Sequence, residues 1–309
     1  MAAANTIDAS GGPQGGAEGT WDRVWLKIRP FAYYSRRNPT LLVGAFLLGA
    51  LALFVLLGTL FYDTDLYRPL SAPTKLSPRA GFPLGTDRQG RDILAVMIAG
   101  TPLTLRIGLI AGGIGVGLGT VVAFIAAYYG GIVDATLRTI VDVGLTIPGL
   151  LILILIAVNM QSGLTVDQMG LAVSVVAWVW PARTIRSQVL VMRQQLYVDI
   201  ARLSGTSGMG IIFKEMMPNL MPYLTASFVT SVAAAILASI GLEALGLGPF
   251  SSPTIGMTIY WNIQFSSVLH GMWWWFTPPI VVIVIVFVGL FMLSMGLDEW
   301  SNPRLRKRV

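Results

Sequence analysis

The sequence predicts an all-α, polytopic membrane fold, on three observations. Apolar residues make up 54% of the chain and charged residues only 12%, with a mean hydropathy of +0.70, outside the range of an ordinary soluble domain. Several apolar runs approach or exceed the ~20 residues that cross a hydrocarbon core. Those runs are continuous, unlike the ~10-residue alternating segments of a membrane β-barrel.

The elements follow in order. Residues 1–20 are Ala/Gly-rich, with no basic n-region and no short apolar core, and read as a disordered tail rather than a secretory signal. Trp21, Val24, Trp25, Ile28 and Phe31 recur at helical spacing with Arg23, Lys27 and Arg29 between them. That pattern predicts an amphipathic helix over 21–38 lying at the membrane surface. Arg36 and Arg37 anchor a first transmembrane helix over 39–61. Residues 62–100, with Pro69, Pro73, Pro78 and Pro83, form a turn-rich loop. A core domain, 101–300, then carries five further spans at about 103–128, 137–158, 169–184, 220–242 and 278–295, making six. A polar loop, 187–218, separates the fourth span from the fifth, and 301–309 is a basic tail.

Charge sets the orientation. With the N-terminus inside, Arg23, Lys27, Arg29, Arg36, Arg37, Arg138, Arg183, Arg186, Arg193, Arg202, Lys214, Arg304, Arg306, Lys307 and Arg308 all fall on the cytoplasmic side. The opposite side holds Arg68, Lys75, Arg79, Arg88 and Arg91, all in the first loop. The positive-inside rule therefore gives N-in and C-in. Loop 62–100 is extracytoplasmic and loop 187–218 cytoplasmic. The net charge of +6 reports this orientation and not a nucleic-acid partner.

Several chemistries are excluded. The chain has no cysteine and one histidine, His270, so thiolate and histidine metal centres are not expected. Gly112, Gly113, Gly115, Gly117 and Gly119 lie within an apolar span with no preceding strand and no lysine. Spacings of four predict that Gly113/Gly117 and Gly115/Gly119 admit a neighbouring helix. No phosphate-binding loop occurs anywhere, so the chain does not hydrolyse ATP itself.

Loop 187–218 is the most informative stretch. Helix-forming residues run from about 188 to 203, Gly205 supplies a positive-φ stop, and a second short helix over 209–217 leads to Pro218 and back into apolar sequence. A helix-break-helix between spans predicts a rigid knuckle that docks in the cleft of a soluble partner. Glu243, an ionisable group near the end of a span, is a candidate pathway residue. Trp261 and Trp273 belong to an aromatic belt with Trp274 and Trp275, or else line an outer vestibule. Asp87, Arg88, Arg91 and Asp92 form a charged turn that predicts an ion-pair network or a partner contact.

These residues carry a resemblance. Tyr-Val-Asp-Ile-Ala-Arg-Leu-Ser-Gly (197–205) and Ile-Ile-Phe-Lys-Glu-Met-Met-Pro-Asn (211–219) resemble the EAA loop of binding-protein-dependent ABC importer permeases. Gly-Thr-Asp-Arg-Gln-Gly-Arg-Asp (85–92) is similar to the family's G-T-D-x-x-G-R-D signature. Trp180 to Arg186, Leu245 to Gly248 and Asn302 to Arg306 fit further family positions. The chain from about residue 20 onward thus resembles the second permease subunit of oligopeptide, dipeptide and nickel importers, the OppC/DppC-like group. The resemblance implies a type I importer permease in a bacterial or archaeal plasma membrane. It implies a homologous second permease, two ATPase subunits that bind ATP and magnesium, and an extracytoplasmic substrate-binding protein. No cofactor is implied in this chain. Tyr197, Asp199, Ala201, Arg202, Gly205 and Pro218 take the ATPase-coupling role. Peptides are the cargo most often served by such permeases, with oligosaccharides and nickel chelates as alternatives. The sequence departs from the pattern at Asp199 for glutamate, Ile200 for alanine, Ser204 for leucine, and Ser239 where the family often has a glutamate one turn before Glu243.

Overall fold

The structure, a computed structural model, describes residues 38–160 and 163–301. The expected tail (1–20), the surface helix (21–38, apart from Asn38) and the basic tail (301–309, apart from Ser301) lie outside the described residues. The helices are α1 Pro39–Phe61, α2 Ile93–Tyr129, α3 Gly131–Thr146, α4 Gly149–Asn159, α5 Val166–Ala177, α6 Val179–Arg193, α7 Leu196–Leu203, α8 Gly208–Ala244, α9 Ile255–Gln264 and α10 Trp273–Ser301. No strand forms among the described residues. Two isolated bridges, Arg79–Phe82 and Thr86–Asp92, staple the loop before α2.

Helix α2 is the central element. Its 37 residues at ~1.5 Å each make it about 55 Å long. It starts at Ile93, inside the stretch read as loop, because Asp92 caps it: the carboxylate accepts from Leu94 N (2.7 Å) and Ala95 N (3.1 Å). The other carboxylate oxygen accepts from the Tyr62 hydroxyl at 2.7 Å, fastening the end of α1 to the start of α2. Burial, reinforced by this bond to Asp92, pushes the Tyr62 phenol far above its ordinary value. Removing the cap and stranding the Tyr62 hydroxyl in an Asp92→Ala variant is expected to cost about 1–2 kcal/mol. Thermal unfolding in detergent measures this. Asp92→Asn, which can still accept from the helix N–H groups, should recover most of the loss.

Close packing on α2 uses small residues. A Cβ at Gly108 or Gly112 would meet Ile236 and Val232 of α8, and one at Gly115 or Gly119 would meet Ala177, Trp178, Pro181 and Ala182 around the α5–α6 junction. The glycine face is therefore 108/112/115/119. Gly117 has nothing within 4 Å and Gly113 only a Phe228 ring carbon at 3.8 Å, so the expected Gly113/Gly117 pair receives no helix of this chain. Spacing alone named two faces, and the neighbours select one.

Four helices are long and apolar enough to cross a membrane: α1, α2, α8 and α10. The third run read as one span is α3 and α4, bent by 78° at Ile147-Pro148, and it makes a fifth crossing if counted as one. Pro148 restricts the residue before it to extended backbone, and Ile147 sits at ψ 124°. The fourth run is interrupted at Trp178, with α5 apolar and α6 carrying Arg183, Arg186 and Arg193. Helix α2 packs against α5, α6 and α8, and α10 against α8.

The ends of α2 are occupied differently. Beside Asp92 lie the 62–92 loop and the 245–272 segment, where Ile255 N donates to Thr104 Oγ1 (3.0 Å) and Trp274 Nε1 donates to the Thr86 carbonyl (3.3 Å). Beside Tyr129 lies the 193–208 segment: Arg193 donates to the Ala127 carbonyl at 2.9 Å, and Gly208 abuts the Tyr128 hydroxyl.

Candidate functional site

The knuckle expected between the fourth and fifth spans is present, in a different shape. The helix expected over 188–203 is broken at Gln194-Gln195, leaving α7 as a separate eight-residue helix. One face of α7 is its mount. Val198 is fully buried, and Tyr197 and Ala201 pack beside it on a cluster of Phe124, Ile185, Val189, Ile211 and Met216, drawn from α2, α6 and α8. Burial raises the Tyr197 phenol above the ordinary value.

The opposite face is apolar and bare. Leu196, Ile200 and Leu203 are 73%, 54% and 89% exposed, at i, i+4 and i+7. Met209 and Phe213, at the start of α8, are each 58% exposed as well. A contiguous exposed apolar helix face of this kind marks an interaction surface. Sequence reasoning missed Leu196, Leu203, Met209 and Phe213 and took Ile200 for a mere departure, although the i, i+4, i+7 spacing was there to read. Asp199 and Arg202 flank the patch as an exposed pair at 3.5 Å, a geometry worth little to stability.

Gly205 ends α7 as expected. Its φ is +76°, its N–H donates to the Arg202 carbonyl (3.1 Å), and Thr206 N donates to the Ala201 carbonyl (3.1 Å). These two bonds are a Schellman closure. A Cβ there would meet nothing within 4 Å, so the requirement is conformational, not steric. The second short helix is not separate: Gly208–Gly210 runs through a π-helical stretch, Ile211–Met216, directly into the rest of α8. Pro218 is exposed and lies two residues after the end of that stretch.

Arg186 of α6 grips Asp134 of α3 with two parallel bonds, Nε–Oδ1 and Nη2–Oδ2, both 2.5 Å and four-fifths buried. Arg183 and Arg138 share Asp142 at 3.5 and 4.0 Å across an open cavity of about 320 Å³ between α2, α3 and α6.

The other expected residues lie at the opposite end of α2. Glu243 is wholly buried near the end of α8, accepts from the Thr254 hydroxyl, and is closed in by Gly248 and Gly256; its Oε1 has no partner. Gly100 of α2 receives the Pro253 carbonyl. Trp261 is part of an aromatic chain with Phe250, Tyr260, Phe265 and Trp275. Trp273 is 58% exposed and lies edge-on to Trp274. The charged turn is an internal clamp: Asp87 accepts from Gln89 N, Arg91 N and Arg91 Nε at 2.6–2.9 Å, while Arg88 reaches the Phe265 carbonyl and ring. Among the described residues no cluster of three or more His, Asp or Glu is placed to hold a metal.

A bundle of apolar helices long enough to cross a membrane, with the short α7 set between two of them, is the architecture of a multi-pass membrane protein. The profile of the family "binding-protein-dependent transport system inner membrane component" matches residues 115–307, and the chain belongs to that family. It is 30% identical over 272 residues to the dipeptide transport system permease protein DppC of Bacillus subtilis, covering 88% of this chain and 84% of that one. It is 28% identical over 280 residues to the oligopeptide transport system permease protein OppC of the same organism, 88% of each chain. It is 28% identical over 229 residues to the glutathione transport system permease protein GsiD of Pectobacterium atrosepticum, 74% and 73% of the two chains. The chain is an OppC/DppC-like ABC permease, a multi-pass protein of the inner membrane.

Proposed function

We propose that this chain is one of two homologous permease subunits of an ATP-driven, binding-protein-dependent importer and forms half of the pathway for oligopeptides or dipeptides. The exposed Leu196–Ile200–Leu203 face on its buried mount is the observation that carries this reading. A face of that kind suits the cleft of an ATPase subunit, and a chain without a phosphate loop needs one. The relatives' names, dipeptide, oligopeptide and glutathione permeases, support a peptide cargo.

In this reading the chain crosses the membrane six times with both termini in the cytoplasm; α3–α4 is one broken crossing and α5–α6 another. Closure of the two ATPases around ATP and magnesium displaces α7. Its buried mount carries α2, α6 and α8 with it, and the Arg186–Asp134 grip carries α3. The pathway between the two permeases then turns toward the binding protein outside, in an alternating-access cycle.

The test is uptake by the complete complex in proteoliposomes. Peptide-loaded binding protein should stimulate both ATP hydrolysis and uptake, and a protonophore should leave uptake unchanged. Uptake that follows the proton gradient and ignores ATP would sink the proposal. Glu243 acts from beneath the 245–254 turn, which it pins through Thr254. Glu243→Gln is expected to lower uptake several-fold with assembly intact. Normal uptake and normal ATPase coupling in that variant would remove Glu243 from the pathway.

A further inference from the structure

We propose that the groove between α1 and α10 is a phospholipid site that holds one acyl chain, with an anionic headgroup held at its loop end. The groove encloses about 530 Å³ and is almost wholly apolar. Leu47 and Phe54 of α1 form one wall and Val281 and Ile285 of α10 the other; Pro83 and Trp274 close one end.

Three observations select the occupant. The first is length. From Trp273 to Ile285 the groove follows α10 for about 18 Å at ~1.5 Å per residue, close to the roughly 15 Å depth of one leaflet of a ~30 Å core. A single acyl chain of one leaflet fits that depth. The second is polarity along the groove. Trp273 and Trp274 stand at its closed end, and Trp274 is fixed there by its Nε1–H bond to the Thr86 carbonyl. Tryptophan prefers headgroup level, so that end marks the interface and the rest lies among acyl chains.

The third is charge. Pro78 and Pro83 line the groove, and Arg79 follows Pro78 directly in the chain, in the paired turn Arg79–Phe82. Lys75 lies three residues before Pro78. Both side chains are exposed, and neither pairs with a carboxylate among the described residues. Two exposed cations within three residues of Pro78, at the loop end of an apolar slot of one-leaflet depth, complement a phosphate joined to an acyl chain. An unlipidated peptide or a sugar offers no such combination.

The test uses the complete complex, reconstituted in equal phosphatidylglycerol and phosphatidylcholine, extracted in detergent and weighed by native mass spectrometry. The wild type should retain phosphatidylglycerol in preference to phosphatidylcholine. Ala50→Phe, which fills the groove, should lower retention about tenfold, the effect of displacing roughly two methylenes. Ala52→Phe, in a separate apolar cleft on the other flank of α1, should leave it unchanged. Lys75→Gln with Arg79→Gln should abolish the headgroup preference while a lipid is still retained. Equal retention of the two lipids by the wild type, or full retention by Ala50→Phe, would overturn the proposal. So would a cross-link from Ala50→Cys to the second permease, because a protein helix would then fill the groove; with no natural cysteine in this chain, the introduced thiol is unambiguous.

Discussion

Leu203→Asp is expected to abolish the stimulation of ATP hydrolysis by loaded binding protein while leaving insertion and folding of the permease intact. Leu203 is 89% exposed in the free chain, so a carboxylate there costs the fold almost nothing. In a docked complex the same carboxylate would enter an apolar cleft unpaired, where desolvation is costly. Truncation is milder: burying a leucine contributes about 1.5–3 kcal/mol, so Leu203→Ala should weaken association roughly ten- to a hundredfold. Gly205→Pro should produce the same loss by another route. Proline cannot reach a φ of +76° and has no N–H for the Arg202 carbonyl, so the end of α7 unwinds and the patch loses its shape. Asp199→Arg reverses the charge beside the patch and puts like charge next to Arg202. Leu203→Asp, Gly205→Pro and Asp199→Arg are each measured as ATPase stimulation in proteoliposomes. Normal stimulation in Leu203→Asp and Gly205→Pro together would show that α7 is not the coupling element.

The second large effect lies on α2. Gly119→Leu should destabilise the isolated chain strongly and Gly117→Leu hardly at all: the two positions are only two residues apart, but about 200° around the helix puts them on opposite faces of the same glycine-rich span. A Cβ at Gly119 would lie 2.8 Å from Ala182 N and from Pro181 Cβ and 3.0 Å from the Trp178 carbonyl. Two of those atoms are backbone, which yields only if α6 moves away. Overpacking of this kind costs about 1–3 kcal/mol for small additions and more for a leucine. At Gly117 there is no neighbour within 4 Å, and an added side chain improves helix propensity by up to ~1 kcal/mol. Tryptophan fluorescence during thermal unfolding in detergent separates the two. Equal midpoints would mean that the α2–α6 approach is looser than these distances.

The two outcomes trace what could be read from the residues alone. Helices α1, α8 and α10 were legible because their apolar runs are long and unbroken, and the stop at Gly205 was legible because few residues other than glycine accept positive φ. The 78° bend at Pro148 was not, since Leu145 and Leu150 on its two sides are equally apolar and hydropathy carries no direction. The interruption at Trp178 was hidden for the same reason. The break at Gln194-Gln195 escaped because glutamine is a good helix former; what ends α6 there is tertiary, as α7 turns to seat Val198 in the core. Choosing between glycine faces required the neighbours. The coupling segment was located by its polarity and its likeness to the EAA loop, which drew attention to Asp199 and Arg202. The exposed Leu196 and Leu203 on either side of them were passed over as ordinary apolar residues.

The π-helical stretch Ile211–Met216 has a consequence for how the patch is aligned. A π turn accommodates one residue more than an α turn, and one residue is about 100° of rotation. Met209, upstream of the stretch, therefore has its azimuth around α8 fixed by that one extra residue, independently of which faces Val229, Val232 and Ile236 bury further along. A single deletion there would leave every other residue of the chain unchanged and still swing the start of α8 through more than a quarter of a turn. The stretch works as a phase adjuster: it allows the membrane-facing periodicity and the partner-facing periodicity of one continuous helix to be set independently.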